Sequence, residues 1–186
     1  MTDHDDKALI AGIAAGDEAA FADLYRAYEK KIYRFINKKL NDPFEAADIL
    51  HIVFMDVWQK AGQFEGRSKV STWLFGIAFN KTVDRMRRNI PTPMDEQDSG
   101  AHEIADEAPP APELIQADEE NQHLRHCLDR LNEQQRTVID LAFFQDMHYG
   151  EIAEIVGVPE GTVKTRAFHA RRALKTCLNR PMGAVA

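Results

Sequence analysis

Three sets of residues in this 186-residue chain have the type and spacing to do chemistry. The first is a pair of carboxylate–histidine repeats, Asp48 with His51 and Glu120 with His123. At i, i+3 such pairs share one helix face and ligate metal when facing helices supply more carboxylates. No further carboxylates complete either set, and an acidic segment separates the two, so a metal enzyme is not expected. His102 and His169 read as surface residues. No Ser–His–Asp arrangement, phosphate-cradling glycine loop or dinucleotide fingerprint is present, so the chain is not expected to be an enzyme or to carry a cofactor. The second set is Cys127 and Cys177. Neither lies in a CxxC or other metal-ligand spacing, and each falls on an apolar helix face, which predicts buried, reduced thiols and no zinc.

The third set is basic and aromatic. Tyr149-Gly-Glu-Ile-Ala-Glu-Ile-Val-Gly-Val-Pro-Glu-Gly-Thr-Val-Lys-Thr-Arg reads as two helices joined by a tight turn. Ala153 is small enough for the crossing and Gly157 can take positive φ. Ile152, Val156, Val158 and Val163 are spaced to close a small core. Pro159 suits the turn or the first helical position, with Gly161 or Thr162 starting the second helix. At 100° per residue, Val163, Ala167, Ala170 and Leu174 face inward. Thr165, Phe168, His169 and Arg172 face outward, flanked by Lys164, Arg166, Arg171 and Lys175. This is the pattern of a helix-turn-helix whose second helix enters the DNA major groove. Lys164, Thr165 and Phe168 are placed to reach base edges, and Arg171, Arg172 and Lys175 to hold phosphates. A second aromatic and basic group, Phe64, Trp73, Phe75 and Phe79 beside Arg67, Lys69 and Lys81, has the makings of a surface that stacks unpaired bases; the alternative is that Trp73 and Phe75 simply belong to the core.

The elements that position these groups are helical throughout, and the expected fold class is all-α. A first helix is predicted from about Lys7 to Ala15. Asp17 caps a second with the stripe Phe21, Leu24, Tyr28, Ile32, Phe35. Asn41-Asp42-Pro43 marks the break before a third with Ala46, Ile49, Leu50, Val53, Phe54, Val57 and Trp58. Gly62 and Gly66 bracket a loop, and Ser71 or Thr72 is expected to cap a helix running on to Arg88. From Asn89 the sequence turns proline-rich and acidic, a composition that cannot bury enough surface to hold a fold. Helices resume near Glu113 and end near Leu178.

Two small helical domains, residues 1–89 and 120–180, are therefore expected on either side of a flexible acidic linker, 90–119. The formal net charge of −7 conceals this division. Residues 1–89 carry 14 basic against 13 acidic groups, 90–119 none against nine, and 120–186 nine against eight. Local charge, not the total, decides which face attracts phosphate. The N-terminus, Met1-Thr-Asp-His-Asp-Asp, lacks an apolar core and no stretch is long enough to span a bilayer. A cytoplasmic protein without stable membrane insertion is expected.

The chain, over about residues 9–178, resembles the bacterial extracytoplasmic-function sigma factors of the sigma-70 family. Asp17–Tyr25 is similar to the opening of the family's sigma-two domain, Ala47–Trp58 to its core-binding helix, and Phe64–Asn80 with Asp84–Arg88 to its promoter-melting and minus-ten segment. Leu131–Leu141 and the helix-turn-helix resemble the sigma-four domain. The resemblance implies binding to core RNA polymerase through Asp48, His51 and Phe54. It implies capture and backbone contact of minus-ten DNA by Phe64, Arg67, Lys69, Asn80, Arg85, Arg87 and Arg88. It implies reading of the minus-35 element by Lys164, Thr165, Phe168, Arg171 and Arg172. An anti-sigma factor covering both faces is a further implied partner. Two positions depart from the family's pattern: His51-Ile52 stands where Gln-Glu is usual, and Phe79 where Arg often precedes Asn80. The alternative is a sigma-mimicking regulator that binds an anti-sigma factor without promoter recognition, for which the basic face of the last helix would be superfluous.

Overall fold

The computed structural model describes residues 3–88 and 122–179. The expected linker over 90–119, the helix expected to resume near Glu113 and the residue Glu120 lie outside the described residues. Helix α1 (Asp3–Ala14) begins four residues before the expected Lys7, its first turn occupied by Asp3, Asp5 and Asp6. Carboxylates there face the unpaired N–H groups and positive end of the helix.

The caps of the next two helices are those legible in the sequence. Asp17 accepts the backbone N–H groups of Ala19 (2.8 Å) and Ala20 (3.2 Å), starting α2 (Glu18–Leu40). Asn41 closes α2 in the left-handed region, at φ 52°. Asp42 then caps α3 (Pro43–Lys60), accepting from Phe44 and Glu45, with Pro43 in the first turn, where its missing N–H costs nothing. Helix α4 (Val70–Arg88) corrects the expectation. Neither Ser71 nor Thr72 caps it; the backbone N–H of Val70 donates instead to Asp3 of α1, 3.2 Å away. A cap borrowed from an element 67 residues away leaves no local sequence signature.

Helices α1 to α4 pack around Leu24, Ile32, Phe35, Ile36, Val53, Phe54, Val57, Leu74 and Phe75, each at most 2% exposed. The C-terminal unit comprises a helix over residues 122–129 (α5), α6 (Glu133–Ile139) running into a π turn over Asp140–Phe144, α7 (Tyr149–Val156) and α8 (Glu160–Leu178). No strand occurs among the described residues.

The two units do not stand apart. Helix α4 packs on α7, and one apolar cluster runs from Ile10 through α2, α3 and α4 to Leu141, Met147, Ile152, Ile155 and Val163. Polar contacts reinforce the junction. Lys38 meets Asp140 at 2.5 Å and lies 3.8 Å from the centre of the Phe144 ring. Lys39 reaches Glu133 and the Thr137 hydroxyl. Glu151 at the start of α7 accepts from Lys69 (3.0 Å), from the Thr72 hydroxyl (3.3 Å) and from its own helix's cap, the backbone N–H of His148 (2.8 Å).

Candidate nucleic-acid and polymerase interfaces

The helix-turn-helix forms as its residue types require. Helix α7 ends at Gly157, whose φ of 66° strains any residue with a Cβ, and the Gly157 and Val158 N–H groups both donate to the Ala153 carbonyl. Pro159 takes the cap position of α8, one place before the helix proper, which starts at Glu160 rather than at Gly161 or Thr162. Val163, Ala167 and Ala170 are fully buried and Leu174 is half-buried, so the inward stripe is the expected one.

The outward face of α8 carries Lys164, Thr165, Phe168, Arg171 and Arg172, all exposed, with Phe168 at 57%. The Phe168 ring meets that of its neighbour His169 edge-on at 5.5 Å, and more than half of the residue stays open to contact with something outside the chain. The basic groups are not equivalent. Lys164 is paired with Glu160 one turn earlier at 2.8 Å, so its charge is partly cancelled until Glu160 is displaced. The Thr165 hydroxyl donates to the Gly161 carbonyl at 3.0 Å, keeping its lone pairs outward.

The second expected set lies on the loop before α4 and along that helix. Phe64 is half-buried and its ring sits 5.2 Å from that of Trp73, also half-buried. Phe75 is 1% exposed and stacks edge-on against Phe35, so it belongs to the core and cannot stack a base. Asn80, Arg87 and Arg88 are exposed on α4, and Arg85 is half-buried and paired with Glu45 of α3 at 2.6 Å. Arg67 is exposed and pairs with Glu65 across one residue. Lys69, exposed on its own account, is held by Glu151. Burial tends to raise the Glu151 carboxyl, but the His148 N–H and Lys69 outweigh it and hold the group below its ordinary value. Lys81 is directed to Asp56 at 2.9 Å, back toward α3.

Of the residues expected to meet polymerase, Asp48 and His51 are exposed on α3. Phe54 is corrected: it is 2% exposed and packs between Phe21 and Tyr25, so it supports α3 from beneath. The exposed apolar residues of that helix are others. Phe44 is 81% exposed, Ile52 42% and Met55 44%. With Asp48 and His51 they fall within about 100° of one another on the helix wheel, an apolar stripe with a carboxylate at its centre. The sequence signal was present, since Phe44 lies outside the core periodicity and Met55 opposite Val53 and Val57. An exposed apolar patch of this kind marks an interaction surface.

The cysteines overturn the expectation of two reduced thiols. Cys127 on α5 and Cys177 in the last turn of α8 are joined by a disulfide, with their Cα atoms 5.8 Å apart. His123, one turn before Cys127, points to the same place.

Comparison with known proteins agrees with this geometry. The sequence model of sigma-70 region 2 matches residues 24–90, and that of sigma-70 region 4 matches residues 122–174. The chain is 34% identical over 172 residues to the ECF RNA polymerase sigma factor RpoE of Cereibacter sphaeroides, covering 89% of this chain and 93% of the relative. It is 33% identical over 177 residues to the ECF RNA polymerase sigma factor SigW of Bacillus subtilis, covering 91% and 94%. Among solved structures, it superposes on CnrH in complex with the cytosolic domain of CnrY with a TM-score of 0.68 at 22% identity, covering 94% and 97% of the two chains. It superposes on the sigma factor RpoE in complex with the anti-sigma factor NepR from Bartonella quintana with a TM-score of 0.65 at 24% identity, covering 86% and 98%.

Proposed function

The chain belongs to the ECF RNA polymerase sigma factors of the sigma-70 family, and on that premise we propose that it binds core polymerase through the outer stripe of α3 and directs initiation at promoters read by α4 and α8. Members of this family regulate transcription rather than catalyse a reaction. The observation that carries the reading is the outward face of α8. Phe168 and four basic or hydroxyl neighbours project from a helix-turn-helix whose inner stripe is fully satisfied by packing. Base-edge contacts fall to Lys164, Thr165 and Phe168 at the N-terminal half of α8, and phosphates to Arg171 and Arg172. At the minus-ten element, Phe64 and Asn80 receive an unstacked base while Arg67, Lys69, Arg85, Arg87 and Arg88 hold the backbone. On α3, Asp48 and His51 supply the polar contacts and Phe44, Ile52 and Met55 the apolar area.

A cytoplasmic location follows from that function, and no helix among the described residues is long and apolar enough to cross a membrane. An anti-sigma factor is the second partner. The exposed stripe of α3 and the basic face of α8 are the surfaces such a protein would cover, and two proteins of the same fold are known in complexes with CnrY and NepR.

Run-off transcription with bacterial core polymerase on a genomic promoter library tests the assignment. Discrete transcripts dependent on this chain are the expected result. A chain that binds core polymerase yet yields no promoter-specific start would leave only the mimic, and one that fails to bind would overturn the proposal.

A further inference from the structure

The groups outside the nucleic-acid surfaces that are most concentrated in reactive atoms lie at the junction of α5 and α8. His123 and Cys127 occupy i, i+4 on α5 and so share one face of that helix. Cys177, on the last turn of α8, completes the group, and one ligand atom from each of the three lies within 4.8 Å of the other two. Cys127 is 1% exposed, while His123 and Cys177 are half-buried, so the cluster has a closed floor and an opening to solvent. It is anchored by Leu128, Leu131, Ile139, Ala170 and Leu174, which pack α5 and α6 on α8.

We propose that in the reduced chain His123, Cys127 and Cys177 form a binding site for a single thiophilic divalent cation of the zinc class. Two sulfurs and one imidazole nitrogen, with no carboxylate among them, are the donor set that selects such an ion over magnesium or calcium. At Zn–S of about 2.3 Å, tetrahedral ligands stand roughly 3.5–3.8 Å apart. The present separations lie within about an ångström or two of that, and side-chain rotation at the end of α8 can supply the difference. The fourth position faces the opening and is left to water or to a partner's side chain.

Metal and disulfide are mutually exclusive because both need both sulfurs. Two equivalents of a thiol reductant cleave the Cys127–Cys177 bond, giving two protein thiols and the reductant's own disulfide. The cation then replaces both thiol protons, which are released. In either state α5 stays linked to α8. The same cysteines line a cavity of about 560 Å³ with Arg130, His169 and Arg172, so the occupant of the site sits beside a residue assigned to DNA phosphate.

The test uses the full chain, reduced and kept anaerobic, titrated with Co²⁺ and then with Zn²⁺. One Co²⁺ per chain is expected, with an intense near-ultraviolet thiolate-to-cobalt charge-transfer band and tetrahedral visible bands that Zn²⁺ abolishes. The oxidised chain should show none of these. Cys177→Ser and His123→Ala should each weaken binding by at least about a hundredfold, with Cys177→Ser also losing charge-transfer intensity. Cys177 is at a helix end, and both it and His123 are half-buried at the opening rather than in the core, so both variants keep the native circular dichroism. Uptake of less than about a tenth of an equivalent by the reduced chain, a cobalt spectrum without the thiolate band, or unchanged affinity in His123→Ala would each overturn the proposal.

Discussion

Replacing Arg171 and Arg172 together by Gln should change how promoter binding responds to salt more than it changes anything else. Both side chains are exposed on the outward face of α8, so their loss removes charge without opening a cavity. Folding stability should stay within about 0.5 kcal/mol of the parent. Each neutralised phosphate releases condensed counterions and contributes about −0.9 to the slope of log affinity against log salt. Leaving two phosphates without their guanidinium should flatten that slope by about 1.8, so a fourfold rise, from about 50 to about 200 mM salt, should cost the variant about twelvefold less affinity than it costs the parent. Lys164 supplies the internal contrast. Its ammonium already faces Glu160 at 2.8 Å, so Lys164→Gln should flatten the slope by clearly less than about 0.9. The assay is fluorescence anisotropy of the holoenzyme on a promoter recovered by run-off transcription, at several salt concentrations across that range. An unchanged slope in the double variant, or an equal effect from Lys164→Gln, would refute the assignment of phosphates to this face.

Four further outcomes follow from the structure. Phe54→Ala should destabilise the fold by about 3–5 kcal/mol by emptying the space between Phe21 and Tyr25. Met55→Ala combined with Asp48→Ala should leave the melting temperature nearly unchanged and weaken core polymerase binding instead, read by thermal melts and pull-down titration. Gly157→Ala should cost about 1–2 kcal/mol of stability, because φ there is 66°, a conformation that strains any side chain with a Cβ. Glu151 makes the contact between the two units pH-dependent. Despite burial, its carboxyl is held below its ordinary value first by the His148 N–H of its own helix and then by Lys69 of the other unit, so the part due to Lys69 is present above the ordinary carboxylate range and is lost as pH falls through the lowered value. Glu151→Gln should cost no more than about 1 kcal/mol at neutral pH and should flatten the loss of stability on acidification, both read from thermal melts across pH.

Local signals made much of this molecule readable in advance. Asp17, Asn41, Asp42, Pro43 and Gly157 each act through neighbours a few residues away, and each does what its chemistry suggested. The inner and outer faces of α8 were equally legible, because helical periodicity is a local property. What escaped was non-local. The cap of α4 comes from Asp3, and Thr72, expected to serve there, faces Glu151 instead. Cys127 and Cys177 are separated by 50 residues and no spacing rule joins them, although His123 and Cys127, at i, i+4, could have been read as one helix face. Phe54 looked like part of the outer surface because its helix was read by resemblance; its own periodicity with Leu50 and Val57 placed it inside.

The packing of α4 on α7 bears on when this protein can work. Lys69 is assigned to minus-ten DNA, yet its ammonium is engaged by Glu151, and Thr72 beside it faces the same carboxylate. In Lys69–Glu151 and Lys38–Asp140 an exposed ammonium meets a largely buried carboxylate, whose desolvation offsets much of the attraction and leaves each pair a small net contribution. The larger part of the closure must therefore come from Ile152, Ile155 and Met147 in the shared apolar cluster. Two elements of one promoter can be gripped together only if the units separate along the duplex, which exposes that area again. A ligand shifts such an equilibrium only by its differential affinity for the open form. DNA phosphates alone compete with the polar contacts but offer nothing to the exposed isoleucines. Core polymerase, which presents protein surface to the helices, is the partner able to compensate for both losses, and so docking on polymerase should precede and enable tight promoter reading by this chain.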